Sequence, residues 1–316
     1  MKIYPLKSVP VFTPRIWGGR RLAEVFGKEL PDGERIGESW EVADLPEGRS
    51  TVGNGPLQGQ TLGEVARRHS EAVVGTTDFP ERFPLLVKFL DAEEVLSVQV
   101  HPDPETCRRM GRGHPKTECW YIIDAEPGAV IYKGFRKPVT RERFAKAIED
   151  GTVAELLASV PVSPGECHFI PAGTVHTVGA GLLIAEIQTP SDTTYRVFDW
   201  HRLDKATGKP RQLHIEEALE SIHFDVTPDK LPVTMVGRLV DSPYFKVDKG
   251  HQVANGEWLL KRGRMRMLVF LTGSGTILSN EAKPVDFKAG DCVLIPAAFE
   301  GAARFTGDTE WLTVTL

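Results

Sequence analysis

The chain has 316 residues, and no apolar stretch in it approaches the roughly 20 residues that a membrane-spanning helix needs, so no membrane partner is expected. It has no excess of positive charge. Lys and Arg number 38 against 43 Asp and Glu, a net charge of −5, which argues against a general nucleic-acid binder while allowing a local basic cleft. It also lacks the cysteine spacing of thiolate metal sites and dense disulfide frameworks. Cys107, Cys119, Cys167 and Cys292 form no CxxC pair, and in a chain of this size they read as reduced thiols of a cytoplasmic protein. The opening MKIYPLKSVPVFTPRIWGG is too polar and proline-rich for a signal peptide.

What is present is short and punctuated. Thirty glycines and 23 prolines separate many β-branched or aromatic runs, favouring a β-rich chain. Expected strands are FPLLVKFLD (83–91), LSVQVH (96–101), ECWYIID (118–124), AVIYKGF (129–135), CHFIPA (167–172), LLIAEIQT (182–189) and YRVFDW (195–200). Later come MLVFLTGSGTIL (267–278), DCVLIPA (291–297) and EWLTVTL (310–316). Capping-box patterns start helices at Thr61 with Glu64 and at Thr152 with Glu155; RERFAKAIED (141–150) and HIEEALESI (214–222) read as helices too. The proline-containing DVTPDKLP (225–232) marks a domain boundary, giving units 1–232 and 233–316.

Residues 165–176, GECHFIPAGTVH, are nearly repeated at 290–301, GDCVLIPAAFEG. The period is too long for a solenoid, so two related β-barrels or jelly rolls in tandem are expected. The copies part where the first has His176 and the second Gly301. Gly165, Pro171, Gly173 and His176 match the second half of the cupin signature, with Ala180 where that signature ends in Asn. Gln99 and His101, two apart on a strand, project to one face; Glu118 opens the next strand and His176 follows the Pro-Ala turn. Each histidine alone is as readily a hydrogen-bonded core or surface residue. Together the four form an N/O donor set suited to zinc or another divalent first-row ion, with a position left for substrate.

SVQVHPD (97–103), GHPKTECWYIID (113–124), IPAGTVHTVGAG (170–181) and EIQTPSDTTYRVFDWHR (186–202) closely resemble type I mannose-6-phosphate isomerase, with RIWGGRRL (15–22) and GESWEVAD (37–44) adding to the match. The resemblance looks like the short bacterial form. It implies a mainly β fold of two tandem cupin-type jelly-roll barrels with a few short helices inserted, the first catalytic and the second without a metal site. It implies one zinc ion per chain on Gln99, His101, Glu118 and His176, and interconversion of mannose 6-phosphate and fructose 6-phosphate through a cis-enediol. Arg196 corresponds to the active-site arginine.

Lys116, two residues before Glu118, shares its face on an extended chain and is a candidate for proton transfer or phosphate contact, or else a solvated surface lysine. Ser97 and Glu186 fall in matching motifs as pocket-lining, substrate-binding residues. Some longer relatives carry a histidine base where this chain has Pro115, and His114 beside it is expected to point elsewhere, so the base is left open. Trp17-Gly18-Gly19 reads as a turn packed on an aromatic, and GSGT (273–276), lacking a P-loop lysine, as a hairpin turn. Two other readings stay open: an iron-dependent bicupin dioxygenase, and a non-catalytic sugar-binding bicupin. The expected partner is a small sugar phosphate.

Overall fold

A computed structural model of the chain describes residues 3–204, 208–225, 227 and 235–316. The chain is mainly β, with four principal antiparallel sheets stacked as layers. A five-stranded sheet runs in the order Leu157–Pro161, Val130–Phe135, His176–Val178, Val98–Val100, Tyr195–Phe198. A six-stranded sheet follows as Cys167–Ile170, Glu118–Ala125, Leu182–Gln188, Leu86–Ala92, Ile36–Val42, Val11–Gly19. A seven-stranded sheet has the order Gly237–Asp241, Lys246–Gln252, Thr309–Thr315, Arg266–Phe270, Cys292–Ile295, Leu6–Val9, Thr51–Val52. The last layer has four strands: Glu257–Leu260, Gly301–Phe305, Ser274–Leu278 and Val285–Lys288.

Alternation along each strand decides which core each side chain joins. In the six-stranded sheet Val87, Phe89, Cys119, Tyr121, Leu183, Ala185 and Ile187 pack against Val247, Met267, Leu294, Leu312 and Val314 of the seven-stranded sheet. Their neighbours Leu90, Trp120, Ile122, Leu182 and Ile184 turn the other way, towards Ile131 and Val178 of the five-stranded sheet. Behind that sheet, Val98, Val100 and Val197 meet Phe144 and Ala147 of the helix Arg141–Asp150 and Ala218 of the helix Ile215–Ser221. A fourth core, with Phe270 stacked on Phe287 at 3.8 Å, fills the space between the last two layers. The six-stranded sheet is therefore covered on both faces. Every residue of Ile36–Val42, Leu86–Ala92 and Leu182–Gln188 is buried.

All ten expected strand segments contain observed strands, and several differences have local causes. Thr61 makes the expected capping box with Glu64. Thr152 does not: its carbonyl, not its hydroxyl, accepts from Glu155 N, and the stronger cap is Thr140, whose hydroxyl accepts from Arg143 N at 3.2 Å. The polar segment after His101 contains a helix, Pro104–Met110, capped by Asp103 and ended by left-handed Gly111, a Pro-first, Gly-last pattern. Trp17-Gly18-Gly19 is not a turn but the end of the strand Val11–Gly19. GSGT is not a hairpin turn. Only Gly273 turns, and Ser274–Leu278 then joins a different sheet from Arg266–Phe270. The expected boundary at 232 lies among residues 228–234, outside the described residues.

Both copies of the near-repeat form a short strand, a Pro-Ala turn and a second strand beginning at His176 or Gly301. A Cβ on Gly301 would lie 2.1 Å from the Leu278 carbonyl oxygen, so backbone occupies the place where a side chain would start. Gly18 is under the same constraint, with Gly37 N 2.3 Å from its would-be Cβ. Gly18→Ala should therefore lower the unfolding free energy by about 2–3 kcal/mol, read as a lower urea midpoint. Gly307→Ala, where an added Cβ meets nothing within 4 Å, should leave the midpoint nearly unchanged.

Candidate active site and metal centre

Strand register builds the site. His176 lies opposite Gln99, which in turn lies opposite Arg196. Ser97, Gln99 and His101 face the interior because Val98 and Val100 take the outer face. From the other sheet, Glu186 pairs with both Trp120 and Lys88, so Glu118, Trp120, Glu186 and Lys88 point into the same space.

His101, Glu118 and His176 are all buried, with donor atoms within 4.8 Å of one another. His101 Nε2 is 3.4 Å from Glu118 Oε2, and His176 Nε2 is 3.4 Å from Oε1. Each imidazole directs Nδ1 at a backbone carbonyl, His101 to Thr193 at 2.9 Å and His176 to Thr174 at 2.8 Å. In the neutral ring that contact places the proton on Nδ1 and leaves the Nε2 lone pair inward, the usual orientation of a metal-binding histidine. Burial pushes both imidazoles below their ordinary pKa; for His101, burial and then Lys116 bring it to about 3, outweighing Glu118. The Glu118 carboxyl lies well below the usual range because Lys116 and the two histidines outweigh burial. Lys116 Nζ pairs with Glu118 Oε2 at 2.8 Å, while Glu118 Oε1 and His101 Nε2 have no hydrogen-bond partner. Buried lone pairs with no donor among them are costly unless a cation joins them. The donor set fits a divalent ion such as zinc. The Gln99 amide lies 3.4 Å from His176 Nε2, beside the triad.

A cleft of about 290 Å³ opens from this point, reached through Gln99 and Lys116. Ser97, Glu186 and Arg196 line it, so the residues singled out from the sequence meet in one place. Arg196 is half-buried, bonded through Nε to Ser97 Oγ (3.1 Å) and through Nη1 to the Gln212 carbonyl (2.8 Å). Glu186 Oε2 accepts from the Trp120 indole at 3.1 Å, while its buried Oε1 has no hydrogen-bond partner. Burial, then the charge of Glu118, raises the Glu186 pKa despite Lys116 and Lys88. Lys116 shifts upward: burial opposes its charge, but Glu118 and Glu186 outweigh burial. His114 sits exposed on the preceding loop.

Sequence reasoning missed other lining residues, among them Arg15, Glu38, Lys88, Asp192 and Arg211. Lys88 had left a signal, the one cation in the apolar run FPLLVKFLD. Its ammonium is 3.6 Å from each of Glu38, Glu186 and Asp192 and 4.8 Å from the Trp40 ring centre. Arg15 and Glu38 lay in quoted motifs without being singled out; nothing marked Arg211.

Residues 5–133 match the family described as phosphomannose isomerase type I, catalytic domain. Mannose-6-phosphate isomerase of Bacillus subtilis is 40% identical over 305 residues, covering 94% of each chain. The chain belongs to the type I mannose-6-phosphate isomerase family. A crystal structure of a mannose 6-phosphate isomerase from Bacillus subtilis superposes with a TM-score of 0.86 at 34% identity, covering 99% of both chains. A structure described as holo, zinc-bound mannose 6-phosphate isomerase shares the fold, with a TM-score of 0.77 at 18% identity over 98% of this chain and 99% of its own.

Glu38 gives this family member a measurable acid response. Burial would raise its pKa, but Lys88 and Arg15, with hydrogen bonds from Arg15 (3.0 Å) and the Trp40 indole (2.6 Å), hold it at about 2. A depressed carboxylate stabilises the fold above its unfolded pKa, and that contribution is lost as pH falls towards the folded value. Over the window from 4.5 to about 2 the loss is on the order of 3 kcal/mol. Urea unfolding of chelator-treated protein should show a shallower decline below pH 4.5 for Glu38→Gln than for the parent chain.

Proposed function

We propose that this mannose-6-phosphate isomerase holds one zinc ion on His101, Glu118, His176 and Gln99, and moves the substrate proton with Glu186. The observation that carries the reading is the convergence of two neutral imidazoles and a buried carboxylate, none offering a proton to the others, at the inner end of a cationic cleft. When bound, zinc supplies Lewis-acid polarisation of the sugar oxygens. The remaining work falls to the chain. Glu186 Oε1, buried and without a hydrogen-bond donor, takes the C2 proton of mannose 6-phosphate, and its raised pKa suits it to keep that proton and deliver it to C1. Lys116, an ammonium by its charge partners, donates to the C1 oxygen as negative charge grows there, then recovers a proton from the C2 hydroxyl. The products are fructose 6-phosphate and an enzyme in its starting protonation state. Arg196 and Ser97 hold the phosphate side of the substrate, where a guanidinium fork matches anionic oxygens.

The layered sheets support a finer reading as two cupin-type jelly rolls: a catalytic unit up to residue 232, which lends Leu6–Val9 and Thr51–Val52 to the sheet of the other, and a second from 233 to 316 without a metal site that shields the first. The near-repeat is the feature in its favour. We place the enzyme in the cytoplasm, acting on a small sugar phosphate. The dioxygenase and silent-binder alternatives draw no support from the relatives.

A coupled assay with mannose 6-phosphate, run before and after chelation and zinc add-back, tests the core reading: activity should vanish and return. His176→Ala should lose zinc by elemental analysis along with turnover. Glu186→Gln should retain zinc and a near-normal KM while kcat falls about 10²- to 10⁴-fold. An unchanged kcat would move the proton to another residue.

A further inference from the structure

After the strand Tyr195–Phe198 the chain makes an unusual turn. Trp200 and His201, neither a glycine, both adopt left-handed backbone, with φ of 56° and 55°. Side chains with a Cβ occupy this region at a cost, and such residues persist only where their surroundings enforce them. Here the enforcement is visible. The Trp200 indole donates to the Leu96 carbonyl at 2.7 Å, and Arg202 Nη1 donates to the Val95 carbonyl. Both acceptors directly precede Ser97 on the chain entering the cleft.

The turn fixes Asp199. This carboxylate is 7% exposed and accepts from Arg202 Nη2, while Arg211 donates to it through both Nε (2.7 Å) and Nη2 (2.6 Å). A two-point contact of this kind sets the plane of the Arg211 guanidinium. Its Nη1 has no hydrogen-bond partner among the described residues, and Arg211 lines the same cleft as Arg196. Arg196, whose Nε and Nη1 are bonded to neutral oxygens, has its own unpartnered Nη2 and, among the described residues, no carboxylate in ion-pair contact. Arg202 and Arg211 thus share Asp199, and Arg196 lies near them without touching that carboxylate. Burial first, then the charge of Arg211, pushes the Arg196 pKa down to about 10. Cations gathered in a half-buried cleft repel one another unless an anion comes between them.

We propose that Arg211 is a phosphate-binding residue of this cleft, acting beside Arg196 and aimed by Asp199 from the left-handed turn. The proposal rests on the sugar-phosphate reading above and adds a residue and a positioning device to it. Asp199 acts through Arg211. A phosphate dianion matches the two free guanidinium edges in charge and in acceptor number.

The test uses the zinc-loaded enzyme. Arg211→Ala should raise KM for mannose 6-phosphate about ten- to a hundredfold, the loss of one or two charge-assisted hydrogen bonds. Its kcat should stay within about threefold of the parent, with zinc content unchanged. Competitive inhibition by inorganic phosphate should weaken by a similar factor. Asp199→Asn should move KM in the same direction by less, and Arg211→Lys should recover part of the loss, keeping the charge without the fork. Should Arg211→Ala not fold, Arg211→Gln is read in the same way. An unchanged KM and phosphate inhibition overturns the proposal, as does a fall in kcat at constant KM. If the parent enzyme does not turn over mannose 6-phosphate, the functional reading fails separately; weaker binding of inorganic phosphate to Arg211→Ala by calorimetry would still support this inference, and equal binding would overturn it.

Discussion

A buried carboxylate whose Oε1 lacks a hydrogen-bond donor and whose Oε2 meets Lys116, facing two imidazoles that present lone pairs, is the constraint on which the interior of this protein turns. Such a cluster is costly as a set of acceptors alone; Lys116 compensates part of the Glu118 charge, and the rest of the surroundings fixes the acceptors in place. The Thr193 and Thr174 carbonyls orient the rings. The six-stranded sheet supplies Glu118 from a strand covered on both sides. A second tier of charge, running from Lys116 through Glu186 and Lys88 to Glu38 and Arg15, connects the cluster to the cleft by ion pairs of 3.0 to 3.9 Å. Removing a single member would leave its partner buried and uncompensated, the situation in which charged networks become costly.

Much of the centre was legible because it rests on short-range geometry. The alternation of a strand puts Gln99 with His101, and the near-repeat singles out His176 as the position where two otherwise similar turns differ. Glu118 was read from its place at the start of the next strand; Arg196 came from resemblance and lines the cleft that opens beside it. The helix starts were legible at Thr61 and at Thr152 alike, but at Thr152 a backbone carbonyl replaces the expected hydroxyl. What escaped was set by distant pairing. Lys88 looks like a stray charge until Glu38, Glu186 and Asp192 close around it, and Arg211 has no local mark because its orientation comes from Asp199. The case for Glu186 as base depends on an oxygen left without a partner, a property no one-dimensional pattern contains.

The layers also join the two halves of the chain through a common core. The six-stranded sheet gives one face to the cleft and the other to a core shared with the seven-stranded sheet. Ile36–Val42 shows this most clearly. Glu38 and Trp40 face the cleft, while Glu41, 1% exposed, accepts Lys28 at 2.7 Å, and Lys28 also donates to the Gly290 carbonyl. The same seven residues therefore carry catalytic-cleft charges on one side and a buried ion pair towards the C-terminal half on the other.

The strand Leu6–Val9 is paired on one side with Cys292–Ile295 and on the other with Thr51–Val52. This segment is thus synthesised well before the neighbour it pairs with. Until then its partner-facing edge and the apolar outer side of the six-stranded sheet are uncovered, a state that invites pairing with other nascent chains. Closing so long a loop also slows the final assembly step. Late docking of that strand leaves these surfaces open during synthesis, whereas in the folded chain Leu6–Val9 is paired on both sides.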